Sequence, residues 1–538
     1  MDTLFINGRI WTADPGRPWA EALAVRGDRI LAVGGEAEAR RLAGPDAEVI
    51  DLERGLVLPG LIDSHTHFLG GGLSLLNLNL RDARSREEFT ARIAAKARSL
   101  HKGRWIVQGN WDQTLFTPAE LPRLEWIDPA TPDHPVFVDR FDLHMSLANS
   151  LALRLAGITR DTPSPDGGEI VKDPRTGEPT GILKDAARDI VAERVGPPSP
   201  AEKRTAFQAA LAEAARFGLT SVTDMADAQT YEAYLDFLRS GLVTCRVSAY
   251  IRVDEAGLFN GLREKTPPGQ NLLRLGGVKG FTDGSLGSGT ALFFEPYADD
   301  PASCGIPARQ MVPEGTMDRR LAEAEQAGLQ AAVHAIGDKA NSLLLDMFER
   351  VFRAAGPRDR RWRIEHAQHL RPADIGRFGR LGVIASVQPY HAADDGRWAE
   401  KKIGPERVKT TFAFRSLLDS GAVLAFGSDW TVAPLDPLTG IHAAATRRTI
   451  DGRNPGGWNP TEIISLEEAV LGYTRNGAYA EFAERDKGSL ELGKLADFAV
   501  LDRDIFRLGP DSIPEARCRM TVVGGRVVFP PDRAGRRP

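Results

Sequence analysis

The chain has 538 residues, about 42% of them hydrophobic, and balances 68 Lys plus Arg against 73 Asp plus Glu for a net charge of −5. That balance leaves no basic stripe for nucleic acid and no polybasic membrane patch, and three cysteines (Cys245, Cys304, Cys518) are too few and too scattered for a disulfide framework or a Cys-based zinc site. No apolar run approaches the ~20 residues that cross a bilayer and Met1–Arg9 has no leader-like pattern, so the expectation is a cytoplasmic globular protein of enzyme size.

The first sixty residues read as short strands. Leu4–Ile10 and Ala22–Val25 are apolar runs, and Gly27-Asp28 turns the chain into Arg29–Val33 as a β-hairpin. Val49–Leu52 and Leu56–Leu58 follow before Pro59-Gly60. The C-terminal end repeats the texture: Ala496–Leu501, then Met520–Val523, then Gly524-Gly525 turning into Arg526–Phe529, with an Arg/Pro tail at 530–538. Two β-rich ends around a different middle predict one small sheet domain assembled from both termini.

The middle alternates helices with short β-branched runs that end in polar residues. The runs are Leu61–His67, Leu219–Asp224, Cys245–Ile251, Gly277–Asp283, Leu329–His334, Arg363–His366, Val383–Gln388 and Val423–Asp429. Helices fit Ala201–Phe217, Ala226–Arg239, Met317–Ala327, Asp338–Ala355, Pro372–Arg380 and Phe412–Ser420. Near-continuous apolar strands alternating with helices indicate a parallel sheet, and eight such units predict an α/β fold, a (β/α)₈ barrel. The gap between the first two strands is too long for one helix, so an insertion is expected over about 85–200. The division that follows is 1–58 and 485–538 for the β-rich ends, and 59–484 for the barrel.

Chemistry concentrates at the strand ends, where barrels of this kind place their active sites. In Asp63-Ser64-His65-Thr66-His67 the two imidazoles lie at i and i+2 of a strand and face one side, a zinc half-site. His334, His366 and Asp429 close three further strands. Four imidazoles and a carboxylate aimed at one mouth make a metal centre the expected reading. Lys279 in the fourth strand admits two roles. As a cation it would be repelled by metals and would bind substrate or face solvent; as a neutral amine it can capture carbon dioxide and become a carbamate able to bridge two metals.

These motifs together resemble the amidohydrolase superfamily, in its amidohydrolase family 3, YtcJ-like branch. The resemblance is carried by Pro59–His67, Val278-Lys279 with Asp283–Ser288, His334–Asp338, Glu365–Gln368, Ser386–Pro389, Gly427–Trp430 and Gly488–Phe498. Within the insertion it is carried by Gly109–Asp112, Asp142–His144, Asn149-Ser150, Ala156–Thr159 and Pro179–Gly181. It implies a composite β-sandwich around a metal-containing barrel, and a homodimer. It further implies two divalent metal ions, zinc for an imidazole-rich set, although imidazole and carboxylate also accept manganese, iron or cobalt. His65, His67 and Asp429 would hold the more buried ion, His334 and His366 the more exposed one, and N-carboxylated Lys279 would bridge them. The implied reaction is hydrolysis of a non-peptide C–N bond, amide or formamide-like, in a small molecule by a metal-bound hydroxide, with Asp429 as proton shuttle.

Weaker candidates surround this set. His144 and His391 are placed to donate a hydrogen bond to a substrate carbonyl, and Trp111, Asp112 and Asp283 to shape the pocket. Asp338 and Glu365 are candidates to orient the ligands, although strand alternation puts Glu365 on the face opposite His366 and argues against it as a ligand. Three alternatives stay open: a one-metal, deaminase-like site with an ordinary Lys279 amine; an ester, carbamate or cyclic amide as the bond cleaved; and a non-catalytic binding protein on the same scaffold.

Overall fold

The computed structural model describes residues 2–530, so most of the Arg/Pro tail lies outside the described residues. Eight strands form one sheet, numbered here β1 Leu61–Thr66, β2 Leu219–Met225, β3 Arg246–Arg252, β4 Leu273–Phe281, β5 Gln330–Ala335, β6 Arg363–His366, β7 Ile384–Val387 and β8 Leu424–Phe426. Each pairs in parallel with its neighbours in chain order. The ring is nearly closed. Its last gap is spanned just beyond β8, where Asp429 N donates to His65 O (2.7 Å) and His67 N to Trp430 O (2.8 Å).

Each β-branched run in the sequence is one of these strands, so the (β/α)₈ barrel is the observed fold. The largest difference is at β4, which begins at Leu273 rather than Gly277. Gly276-Gly277 reads as a strand breaker in sequence. In the fold it is a close approach, because a Cβ at either position would stand 2.5 or 2.8 Å from atoms of the buried Tyr250 ring.

Outside the strands, helices bury one apolar stripe each. The helix Asp338–Ala355 turns Leu344, Leu345, Phe348 and Val351 inward, each such side chain contributing about 1.5–3 kcal/mol on full burial. The helix Pro200–Arg216 opens with a capping box between Ser199 and Glu202 and a proline in its first turn.

The two chain ends meet in a six-stranded sheet. It orders Arg526–Phe529, Cys518–Val523, Phe498–Leu501, Leu56–Pro59, Arg9–Trp11 and Trp19–Ala20. A four-stranded sheet of Arg29–Gly34, Ala22–Arg26, Thr3–Ile6 and Glu48–Asp51 faces it, over a core containing Phe5, Leu23, Val57, Phe498 and Val522. Phe5 and Phe498 meet edge to face with centroids 4.9 Å apart. The run Leu4–Ile10 is therefore two strands in different sheets, broken where Asn7 takes φ 55°.

Between β1 and β2 lies a five-stranded sheet ordered Gly168–Lys172, Pro179–Asp185, Met145–Ala148, Val136–Asp139 and Ile106–Val107, with apolar clusters of its own. Its loops reach over the C-terminal ends of the barrel strands. No helix among the described residues is long and apolar enough to cross a membrane.

Candidate metal centre

At the C-terminal mouth of the barrel, a cavity of about 730 Å³ is lined by His65, His67, Lys279, His334, His366 and Asp429 among others. Donor atoms of His65, His366 and Asp429 all lie within 4.8 Å of one another. His65 Nε2 is 3.5 Å from Asp429 Oδ1, and His67 Nε2 is 3.3 Å from the same oxygen. Lys279 Nζ stands 3.5 Å from His65 Nε2. The His334 and His366 rings have centroids 4.5 Å apart. His334 is turned slightly away, with Nε2 donating to Gly284 O at 3.0 Å and 3.4 Å from Asp283 Oδ1.

Two left-handed backbone turns produce this convergence. His366 leaves β6 at φ 74° and Asp429 follows β8 at φ 58°, conformations that cost a non-glycine residue energy and tend to sit at functional sites. The first of them also explains Glu365. Alternation does separate Glu365 from His366 along the strand, but Glu365 occupies the barrel-interior face and the turn at His366 swings its imidazole to the same centre. Gly427 allows the last strand to approach, since a Cβ there would lie 2.5 Å from His65 N.

The ring nitrogens facing away from the centre are tied down. His65 Nδ1 donates to Glu365 Oε2 at 2.5 Å, and His366 Nδ1 to Gln388 Oε1 at 2.7 Å. Glu365 is held in turn by Arg363 Nε (2.7 Å) and Ser386 Oγ (2.6 Å). Burial would raise its carboxyl, but the Arg363 guanidinium and His65 outweigh it and hold the pKa at about 2. This fixes the tautomer that presents Nε2 of His65 to the centre.

Burial, with Lys279 nearby, pushes His65 down to about 4, and burial with His334 beside it pushes His366 well below the usual imidazole range. Burial also lowers Lys279 to about 8. Asp429 is buried as well, which would raise its carboxyl, yet His65 and His67 hold it below the usual carboxylate range. Neutral imidazoles and an ionised carboxylate are the states that ligate metals.

Asp429 Oδ1 is buried and, among the described residues, has no well-aligned hydrogen-bond partner, His67 Nε2 standing 3.3 Å away, an arrangement expensive to leave in a protein interior. A divalent cation satisfies it and the converging Nε2 atoms together, so the residues present fit a metal.

The sequence profile described as "Amidohydrolase family" matches residues 48–529. The chain belongs to the amidohydrolase family. Three curated relatives align along nearly its whole length. Protein LONG AFTER FAR-RED 3 of Arabidopsis thaliana is 41% identical, covering 98% of this chain and 92% of its own. Putative amidohydrolase YtcJ of Bacillus subtilis is 33% identical, covering 98% and 99%. N-substituted formamide deformylase of Arthrobacter pascens is 29% identical, covering 97% of each. Among solved structures, an uncharacterized metal-dependent hydrolase from Pyrococcus horikoshii superposes with a TM-score of 0.76 at 30% identity, over 94% of this chain and 98% of that one. This amidohydrolase is thus a metal-dependent hydrolase.

The remaining sequence candidates are distributed unevenly around its cavity. His144 lines it, its Nδ1 2.6 Å from Asp185 Oδ1 and its ring 5.1 Å from that of His334. Burial would lower His144, but the Asp185 carboxylate raises it on balance. His391 stacks parallel to His366 at 6.3 Å, with its Nε2 unpartnered among the described residues. Asp283 accepts from the backbone N–H groups of Leu292, Ile336 and Gly337, bracing the loop beside His334. Asp338 accepts instead from Phe294 N at 3.0 Å, so the carboxylate beside His334 is Asp283 and not Asp338.

Trp111 and Asp112 stand back from the cavity. Trp111 is fully buried in the insertion's core and donates from Nε1 to Val138 O at 2.9 Å. Asp112 caps the turn at Thr114 and sits 3.7 Å from Arg397. Both stiffen the insertion; neither faces the centre.

The sequence assigns no role to Arg363, Ser386 or Gln388, although Ser386–Pro389 is among the motifs that carry the resemblance. Arg363 and Glu365 lie at i and i+2, which places them on one face, and a buried basic–acidic pair beside a histidine is a readable sign. The Glu365→Gln variant is expected to lose about 10–100-fold in metal affinity, measured by competition against a chelator. Unchanged affinity would remove Glu365 from the orienting role.

Proposed function

We propose that this amidohydrolase cleaves a non-peptide C–N bond, an amide or formamide-type linkage of a small molecule, at a site that holds two divalent metal ions, zinc. The observation that carries the reading is the convergence of His65, His366 and Asp429 within 4.8 Å, with the Lys279 amine 3.5 Å from His65 Nε2. His65, His67 and Asp429 would hold one ion, and His334 and His366 the other. Lys279, carboxylated on Nζ, would bridge them. When bound, such ions polarise a carbonyl and lower the pKa of water towards neutrality.

The chain's own residues supply the rest. Asp429, ionised and with one oxygen unpartnered among the described residues, accepts the proton of the attacking water. It then passes that proton to the leaving nitrogen, which departs as an amine. Lys279 is suited to carboxylation because burial brings its amine to about 8, which raises the neutral fraction that reacts with carbon dioxide. A relative at 29% identity along the whole chain carries the name N-substituted formamide deformylase, and this supports the choice of bond.

One observation favours a one-metal site instead: His334 Nε2 already donates to Gly284 O at 3.0 Å. Elemental analysis of protein purified without added metal or chelator separates the two readings. Two equivalents per chain are expected, falling to one or none in Lys279→Met. In the wild type, a carbamate carbon signal is expected by NMR after exposure to ¹³C-bicarbonate. One equivalent that does not rise with added metal and bicarbonate would overturn the bridged site.

A further inference from the structure

Behind the metal centre lies a second, much smaller chamber of about 40 Å³. It meets the main cavity at Asp142, His144, His334, His366, Asp429 and Val432, which line both. The reacting carbon of any substrate at the centre thus has two directions in which its substituents can extend, one roomy and one confined.

The confined side has unusual walls. Three buried nitrogens of its lining residues lack a hydrogen-bond partner among the described residues: Arg140 Nη2 and Trp398 Nε1, which are donors, and His391 Nε2, which donates in one of its two neutral tautomers. Arg140 is 1% exposed, and the Asp112 carboxylate comes no nearer to its Nη2 than 3.9 Å. Its charge is already matched by Asp142, 2.5 Å from Nη1. The unmet donors therefore call for a hydrogen-bond acceptor and not for a further anion, and a neutral carbonyl oxygen is such an acceptor. An apolar chain would leave the two donors unmet, which is unfavourable in a protein interior.

Size points the same way. At roughly 10–15 Å³ of such space per water-sized group, the chamber takes about three non-hydrogen atoms. Counted with its reacting carbon at the junction of the two spaces, a formyl group has two and an acetyl group three.

We propose, resting on the C–N hydrolase reading above, that this chamber is the acyl subsite, limiting the acyl half of the substrate to formyl or acetyl while the large cavity takes the amine half. In the reaction the oxygen of water joins the acyl carbon and the C–N bond breaks. One proton reaches the amine through Asp429 and the other leaves with the short carboxylic acid.

The test uses the full-length, metal-loaded protein and a series of hydroxamic acids whose acyl group is formyl, acetyl, butyryl or benzoyl, with affinity read by calorimetry. Formyl and acetyl compounds are expected to bind about tenfold or more tightly than butyryl and benzoyl. Val432→Ala, which widens the chamber, should narrow that gap, and Trp398→Phe, which removes a donor, should weaken the formyl compound. Equal or tighter binding of the longer acyl groups overturns the assignment. Turnover of the matching N-acyl anilides separates this proposal from the one beneath it. Cleavage of all anilides alike leaves the hydrolase standing and overturns the acyl subsite. Cleavage of none, with the hydroxamate ranking intact, overturns the C–N bond and retains the chamber as a filter for short acyl groups.

Discussion

Replacing Asp429 by Asn is expected to lower kcat/KM by about 10²–10⁴-fold, the range for loss of a positioned proton carrier, with the fold preserved. The backbone argument for preservation is specific. Asp429 sits at φ 58°, a left-handed conformation that Asn and Asp adopt more readily than other non-glycine residues, and Asn fills the same volume. Its backbone N–H, which ties the last strand to His65 O at 2.7 Å, is untouched. What changes is Oδ1 and Oδ2: a carboxamide cannot take a proton from water at neutral pH and is a poorer partner for a cation. Circular dichroism and metal content measured beside turnover divide the effects. Wild-type turnover in the variant would reject the shuttle.

The barrel was legible because its strands are buried on both faces and so read as continuous apolar runs ending in polar residues. The placement of His65 and His67 at the mouth was legible because strand alternation is local, and that of His334, His366 and Asp429 because each closes such a run. What the sequence did not disclose depends on contacts distant along the chain. Trp111 looked like a pocket aromatic and is core, since whether an aromatic faces a cavity or packs against Phe89, Trp126 and Val138 depends on a sheet assembled from five short strands. Leu4–Ile10 looked like one strand because nothing in its apolar pattern marks the left-handed turn at Asn7. The roles of Gln388 and Arg363 were not legible for the opposite reason. Both are ordinary residues of strand ends until the closed barrel brings Gln388 to His366 and Arg363 to Glu365.

Stability is expected to depend most sharply on a contact at the other end of the barrel. Arg246 opens β3 and is 4% exposed; its Nε and Nη2 donate to the two oxygens of Asp497 at 2.6 and 2.8 Å. Asp497 stands just ahead of the strand Phe498–Leu501 and also accepts from Gly524 N at 2.7 Å. One carboxylate therefore joins the barrel to both arms of the C-terminal sheet. Asp497→Ala leaves a buried guanidinium unpaired, which costs about 3–5 kcal/mol, read as a fall in the thermal midpoint of the metal-loaded protein. By contrast, Asp133→Ala removes the exposed Lys102–Asp133 pair and should leave the midpoint nearly unmoved. Because Arg246 lies at the N-terminal end of its strand and the proposed metal ligands at the C-terminal ends, the two sites are separable. Below its unfolding transition, Asp497→Ala should turn over at the wild-type rate per metal-loaded chain. A large loss of kcat with no loss of stability would mean that the clamp shapes the catalytic mouth through the barrel and does more than hold the two sheets together.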